Sequence, residues 1–158
     1  MLITGQCHCG NIAFSLDWPG DALEIPARAC DCTFCVKHGG VWTSNPGAAL
    51  VATINDHALV SSYAFGTRTA TFHVCSRCGT VPIATCEIDS RLYAVVNVNT
   101  FENVEPSCLR MSAANLEGED VTSRLVCAIA AGHGAGQLAS RKYRLCIAAV
   151  PGMAGGSA

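Results

Sequence analysis

Charge is scarce in this sequence. Asp, Glu, Lys and Arg make up 14% of 158 residues, and the formal net charge is -2 with histidine neutral. Its basic residues are scattered, and Arg141, Lys142 and Arg144 form the densest group. A chain without a basic face has no electrostatic footprint for nucleic acid or an anionic membrane. Long apolar runs are missing too: none approaches the ~18 residues of a membrane-spanning helix. The opening "MLITGQCHCG" lacks the basic-then-apolar order of a secretory signal, so the expected location is cytoplasmic. Aromatic residues are only 6% of the chain, which leaves the core to Val, Ile, Leu and Ala.

What is present in quantity is apolar residues, at 50% of the chain, and cysteine, at eleven. That length and composition fit one buried core rather than disorder. An odd number of cysteines without a secretory signal argues against a disulfide framework, and clustered thiols in a reducing compartment point to metal.

Strand signals dominate the first two-thirds. "NIAFSLDW" (11–18) alternates apolar and polar residues, and "ALEIPARAC" (22–30) is extended, with Pro26 placing it at an edge or a bulge. "VWTSN", "PGAALVATI", "ALVSSYAF", "TRTATFHVC", "TVPIATCEI" and "RLYAVVNVNTF" follow at spacings of about ten residues, the last two joined by the turn "DS". Strands so spaced predict an antiparallel, mainly β domain. "TFCVKHGG" (33–40) has room for about one helical turn before Gly39 and Gly40 stop it. A helix is expected over 118–131, and the final eight residues read as a flexible end.

Seven cysteines fall into three local groups: Cys7 and Cys9 in "CHCG", Cys30, Cys32 and Cys35 in "CDCTFC", and Cys75 and Cys78 in "CSRCG". A C-x-x-C-G turn aims both sulfurs inward, with glycine supplying positive φ. In C-x-C, an extended chain sends both side chains to one face. The two pairs together make a closed set of four thiolates, a staple worth on the order of 10 kcal/mol in small zinc domains. Three cysteines plus one exchangeable position is instead the arrangement of catalytic zinc. The trio is open to a second reading, a structural site completed by His8, Asp31, His38, His73 or Cys86. A redox C-x-x-C would need a βαβ setting that the pattern lacks. Cys86, Cys108, Cys127 and Cys146 stand alone and are expected in the core.

"GQCHCGNIAFSL", "CDCTFC" and "YAFGTRTATFHVCSRCGTVP", in that order, resemble the glutathione-dependent formaldehyde-activating enzyme family, also called the CENP-V/GFA domain, over about residues 3 to 100. The resemblance implies a β-tent fold, structural zinc on Cys7, Cys9, Cys75 and Cys78, and a second zinc on Cys30, Cys32 and Cys35, where the chemistry is expected. It also matches Gly5, Gly10 and Gly79 to the family's glycines. It implies a carbon–sulfur lyase whose substrates are a small thiol such as glutathione and an aldehyde, joined as S-hydroxymethylglutathione. "LEGEDVTSRL" (116–125) follows the start of a C-terminal family segment, and what comes after departs from it. The expected organisation is a zinc domain over 1–126 and a Gly/Ala-rich segment of unknown role over 127–158.

Such chemistry needs a thiolate, a polarised carbonyl and a group that moves one proton. His8 and His73 read as structural or solvated, and His38, three residues past Cys35, is the best-placed proton carrier. Seven thiolates and two dications would bring the protein to about -5 from its formal -2. An anionic tripeptide would then need cations, for which Arg28, Lys37, Arg68 and Arg77 lie near the ligands in sequence. The alternatives are a non-catalytic zinc-binding β-tent module with a protein partner and, last, a chromatin- or microtubule-associated module, which calls for a basic extension.

Overall fold

Alternation becomes pleat first at the N-terminus. β1 (Leu2–Gln6) and β2 (Ile12–Asp17) form an antiparallel hairpin with Gly5 opposite Phe14. Ile12, Phe14 and Leu16 are buried, whereas Asp17 is exposed, as period-two patterning requires. A computed structural model describes residues 1–20, 24–45, 47–88, 90–114 and 142–147, with the backbone alone for Arg91, Ala114 and 142–147.

The remaining elements are β3 (Ile25–Cys30), α1 (Thr33–His38), β4 (Val41–Thr43), β5 (Ala49–Ile54), β6 (Val60–Tyr63), β7 (Thr71–Cys75), β8 (Ile83–Ile88), β9 (Arg91–Asn97), β10 (Leu109–Ala114) and β11 (Lys142–Ile147), with short 3₁₀ turns at 57–59, 98–100 and 106–108. They form one mainly antiparallel sheet in the order β1-β2-β5-β11-β9-β4-β3-β10, with β6-β7-β8 branching from β9. Only β3–β10 and β9–β11 pair in parallel among the described residues. The branch arises because one edge of β9 carries β8 along its length. Its other edge is divided between β11, at Tyr93 and Ala94, and β4, at Val96 and Asn97.

Aliphatic side chains fill the main core, as the low aromatic content implied: Ile3, Ile12, Leu16, Ile25, Leu50 and Val96 are at most 1% exposed. Cys7 and Cys75 lie in this same core. A second, smaller cluster gathers Cys35, Trp42, Val81 and Ala84, with Cys30, Cys32, Phe34 and Phe72 packed on it.

Sequence expectations differ from the structure in a few places. β3 is not an edge strand, because β10 covers its outer side; β4 meets β3 only at Arg28 and Ala29, so Pro26 lies beyond the paired stretch on that side. β1, β10 and β11 had no clear strand signal. β11 lies within the Gly/Ala-rich segment and pairs with β5 over residues 142–146. The expected helix over 118–131 and the last eight residues lie outside the described residues. Cys86 and Cys108 are half-buried rather than core; the side chains of Cys127 and Cys146 are not described.

Asn97 ties this junction together. Its side-chain carbonyl accepts from the backbone of Val41 and Asn99 at 3.4 and 3.2 Å, and its amide donates to the Val81 carbonyl at 3.3 Å. Asn97 and Val81 are each 3% exposed, so the Val81 carbonyl has no ready substitute for this amide. Asn97→Ala is expected to destabilise the protein by about 1 to 3 kcal/mol, the cost of orphaning a buried polar group. Urea unfolding of the variant beside the wild type checks it, and a loss under about 0.5 kcal/mol, the level of an ordinary surface change, would contradict this role.

Candidate metal centres and the adjoining site

Two backbone turns build the first centre. After β1, Cys7 donates its N–H to the Ile12 carbonyl at 2.8 Å and accepts from Gly10 N–H at 2.8 Å. After β7, Cys75 repeats the pattern with Thr80 at 3.0 Å and Gly79 at 2.7 Å. Gly10 and Gly79 both have φ of 76°, a conformation that strains any residue with a Cβ. Cys9 therefore sits in a turn, and the extended C-x-C geometry expected from the sequence is not what brings it beside Cys7. Asn11 and Asn55 pin that turn to the 55–56 segment through hydrogen bonds of 2.8 to 3.0 Å with Asp56 and Gly10.

The sulfurs of Cys7, Cys9, Cys75 and Cys78 all lie within 4.8 Å of one another. Cys9 Sγ is 3.7 Å from Cys7 Sγ and 3.4 Å from Cys75 Sγ. Sulfurs at about 2.3 Å from a tetrahedral zinc are about 3.8 Å apart, so the spacing fits a four-thiolate ion. Amide donors turn toward the same sulfurs: the Ile12 N–H reaches Cys7 Sγ at 3.3 Å.

α1 builds the second centre. Cys30 ends β3, Cys32 caps the helix and accepts from the Cys35 N–H at 3.4 Å, and Cys35 is buried one turn in. Trp42, from β4, donates its indole N–H to Cys35 Sγ at 3.3 Å. This approach depends on Gly40, where a Cβ would lie 2.9 Å from both Cys35 Sγ and Trp42 Nε1. The three sulfurs lie within 4.8 Å of one another, and no fourth Cys, His, Asp or Glu joins the group among the described residues.

Protons divide unequally within each set of sulfurs. Hydrogen bonding from Cys35 holds Cys30 down at about 6 and pushes Cys35 itself well up. Burial raises Cys75 to about 12 and also raises Cys7. Burial opposes ionisation of Cys78 as well, but hydrogen bonds from Thr80 and neighbouring amides outweigh it and bring Cys78 to about 5. Neither set ionises completely on its own, because adjacent thiolates repel in a dry site. A dication removes that conflict and ionises its thiol ligands.

His38 closes α1 with its ring 4.3 Å from that of Phe34 and 6.1 Å from that of Trp42. Neither ring nitrogen has a hydrogen-bond partner among the described residues, and burial lowers its pKa below the usual 6.5. His8 is exposed. His73 instead bonds Thr85 Oγ1 at 2.8 Å across the β7–β8 pair. Lys37, Arg68 and Arg77 are exposed and Arg28 is half-buried. Sequence reasoning missed Trp42, Gly40 and the rings around Phe34. Five of the ten aromatic residues, all between 34 and 72, meet here, and their crowding into that stretch was the available signal.

A mainly antiparallel sheet carrying one group of four cysteines and one of three defines a β protein with two candidate metal centres. Residues 2–115 match the family model for the glutathione-dependent formaldehyde-activating enzyme, and the chain belongs to that family. A Rhodobacter sphaeroides protein of known crystal structure is 28% identical; the match covers 65% of this chain and 91% of that one, with a TM-score of 0.46. Among the described residues no helix is long and apolar enough to cross a membrane.

The proton distribution is testable after chelation. At pH 7 a thiol with a pKa of about 6 is about nine-tenths thiolate, and the thiolate is the form that alkylates. Brief iodoacetamide treatment followed by peptide mass spectrometry is expected to label Cys30 and Cys78 well before Cys35 and Cys75. Uniform labelling of the four would refute that order.

Proposed function

We propose that this protein is a zinc-dependent enzyme of the carbon–sulfur lyase type, which forms or splits the adduct of a small thiol with an aldehyde, S-hydroxymethylglutathione or a close relative. The observation that carries the reading is the three-sulfur group Cys30, Cys32 and Cys35, without a fourth ligand among the described residues and beside a histidine whose ring nitrogens are unclaimed. Membership of the family supports glutathione and formaldehyde as the substrate class.

In this reading Cys7, Cys9, Cys75 and Cys78 hold a structural zinc, and Cys30, Cys32 and Cys35 hold the zinc of the reactive site. Bound there, zinc supplies Lewis acidity for a carbonyl oxygen or an electrostatic preference for a thiolate. The reaction forms one C–S bond as the carbonyl π pair moves to oxygen, and the thiol proton ends on that oxygen; breakdown reverses each change. His38 is the residue assigned to the proton. Burial holds its pKa below the usual 6.5, which favours the neutral imidazole, whose nitrogen lone pair can accept the thiol proton and return it to the new alkoxide. Trp42 and Gly40 act on Cys35, holding its sulfur in place through the indole N–H and the room left for it.

Metal analysis and solution NMR test the reading together. Two zinc ions per chain are expected, falling to one in Cys30→Ser, with exchange between formaldehyde, glutathione and their adduct accelerated only by the two-zinc protein. His38→Ala should slow that exchange by about a hundredfold or more, the usual contribution of a positioned acid or base, while keeping both ions. With the thiol saturating, the rate should be level from pH 7 upward and fall on the acid side of 6.5, where His38 takes up a proton. One firmly held zinc without catalysed exchange would overturn the enzyme and fit a non-catalytic module with a protein partner.

A further inference from the structure

The rings beside the three-sulfur group form a continuous wall. Phe34, between Cys32 and Cys35 on α1, lies 4.8 Å from Tyr63, 5.5 Å from Phe65 and 4.8 Å from Phe72, centroid to centroid. Tyr63 and Phe65 stack at 5.7 Å, and Phe65 and Phe72 at 5.8 Å. Trp42, which bonds Cys35 Sγ, continues the wall at 5.8 Å from Phe72. Contacts of this length join the rings into one surface.

That surface is not a closed core. Tyr63 is 45% exposed, and Phe34, Phe65 and Phe72 are only partly buried. A chain with ten aromatic residues places five of them at one half-open position, and the main aliphatic core does not need them. Half-open apolar surface beside a polar group is a common feature of ligand sites. Among the described residues His38 is the polar side chain in ring contact with it, and its buried nitrogens have no hydrogen-bond partner there. Such atoms are costly to leave unpaired. A ligand matching both features has an uncharged apolar body and one oxygen able to meet an imidazole.

Formaldehyde has the oxygen and no body, and glutathione is charged. We propose that Phe34, Tyr63, Phe65 and Phe72, with His38 at the polar end, form a subsite for the apolar substituent of a larger aldehyde, aromatic or branched aliphatic. The substrate class of the site named above is then the hemithioacetal of such an aldehyde with a small thiol. Its formation adds the thiol across C=O with the same balance as before: one C–S bond gained, the π bond lost, the proton moved from sulfur to oxygen, and no redox partner required. This inference rests on the enzyme reading for the chemistry but not for the binding.

Ligand-observed NMR on the zinc-loaded full chain separates the two. Benzyl alcohol, an unreactive analogue of an aromatic aldehyde that keeps its ring and one oxygen, is expected to bind saturably, and methanol is not. Tyr63→Ala and Phe65→Ala should weaken benzyl alcohol by about tenfold, in line with the removal of a large apolar contact. Phe65→Leu, which keeps apolar bulk and guards against a folding failure, should weaken it less. The exposed Arg110→Ala, on β10, should leave it unchanged. Ring-dependent binding without catalysed exchange upholds the subsite and removes the enzyme reading. Catalysed exchange with formaldehyde, but equal and ring-independent responses to benzyl alcohol and methanol, overturns the subsite and leaves the enzyme reading standing.

Discussion

Crowded sulfur is the constraint on which the rest of this structure depends. Two groups of thiols are held within 4.8 Å, a spacing at which fully ionised sulfurs repel strongly unless a cation lies between them. The backbone enforces that spacing. Paired turns with left-handed glycines at 10 and 79 deliver one group, and a single helical turn between β3 and β4 delivers the other. Residues so far apart in sequence meet at a real cost in chain entropy. An ion shared by Cys7, Cys9, Cys75 and Cys78 would offset it by joining the first hairpin to the β7–β8 turn.

β7 connects the two centres physically. Its alternation sends Phe72 and Val74 to the cluster around Cys35 and Trp42, and Cys75 to the main core with Cys7. Three residues of strand span about 10 Å, so ordering at one centre fixes the strand that forms a wall of the other. A structural ion at Cys75 would thus steady the three-sulfur group without touching it, by holding Phe72 in register against Tyr63. Asn97 acts similarly from β9, where its side chain bonds to Val41, next to Trp42, and to Val81 of the smaller cluster.

Much of this was legible in the cysteine spacing and in strand-length alternation. β2 and β5 were visible because each buries alternate residues, β8 and β9 because each is a short apolar run bounded by turn residues, and α1 because Gly39 and Gly40 bound it. β10 and β11 were not, since "LRMSAA" and "KYRLCI" carry weak patterns and owe their strand form to neighbours distant in sequence. The sulfurs of Cys7 and Cys9 do lie together, but a turn, not an extended strand, is what brings them there. His38 was marked by proximity alone. What distinguishes it, the rings of Phe34, Trp42 and Phe72, comes from three separate elements, and only the fold reveals their meeting.

The distribution of aromatic side chains carries its own physical logic. A small β domain ordinarily uses its rings as the largest contributors to burial. Here the main core is closed chiefly by Ile, Leu and Val, with Phe14 and Trp18 as its buried rings. The rings between 34 and 72 stand instead where sulfur meets solvent. A thiolate–dication pair is stronger in a drier setting, and rings exclude water without offering a competing ligand. The same rings bury His38 and lower its pKa, which favours the neutral base over the cation. One aromatic wall therefore serves three ends at this site: it dries the sulfurs, keeps the histidine uncharged, and leaves an apolar surface open beside them.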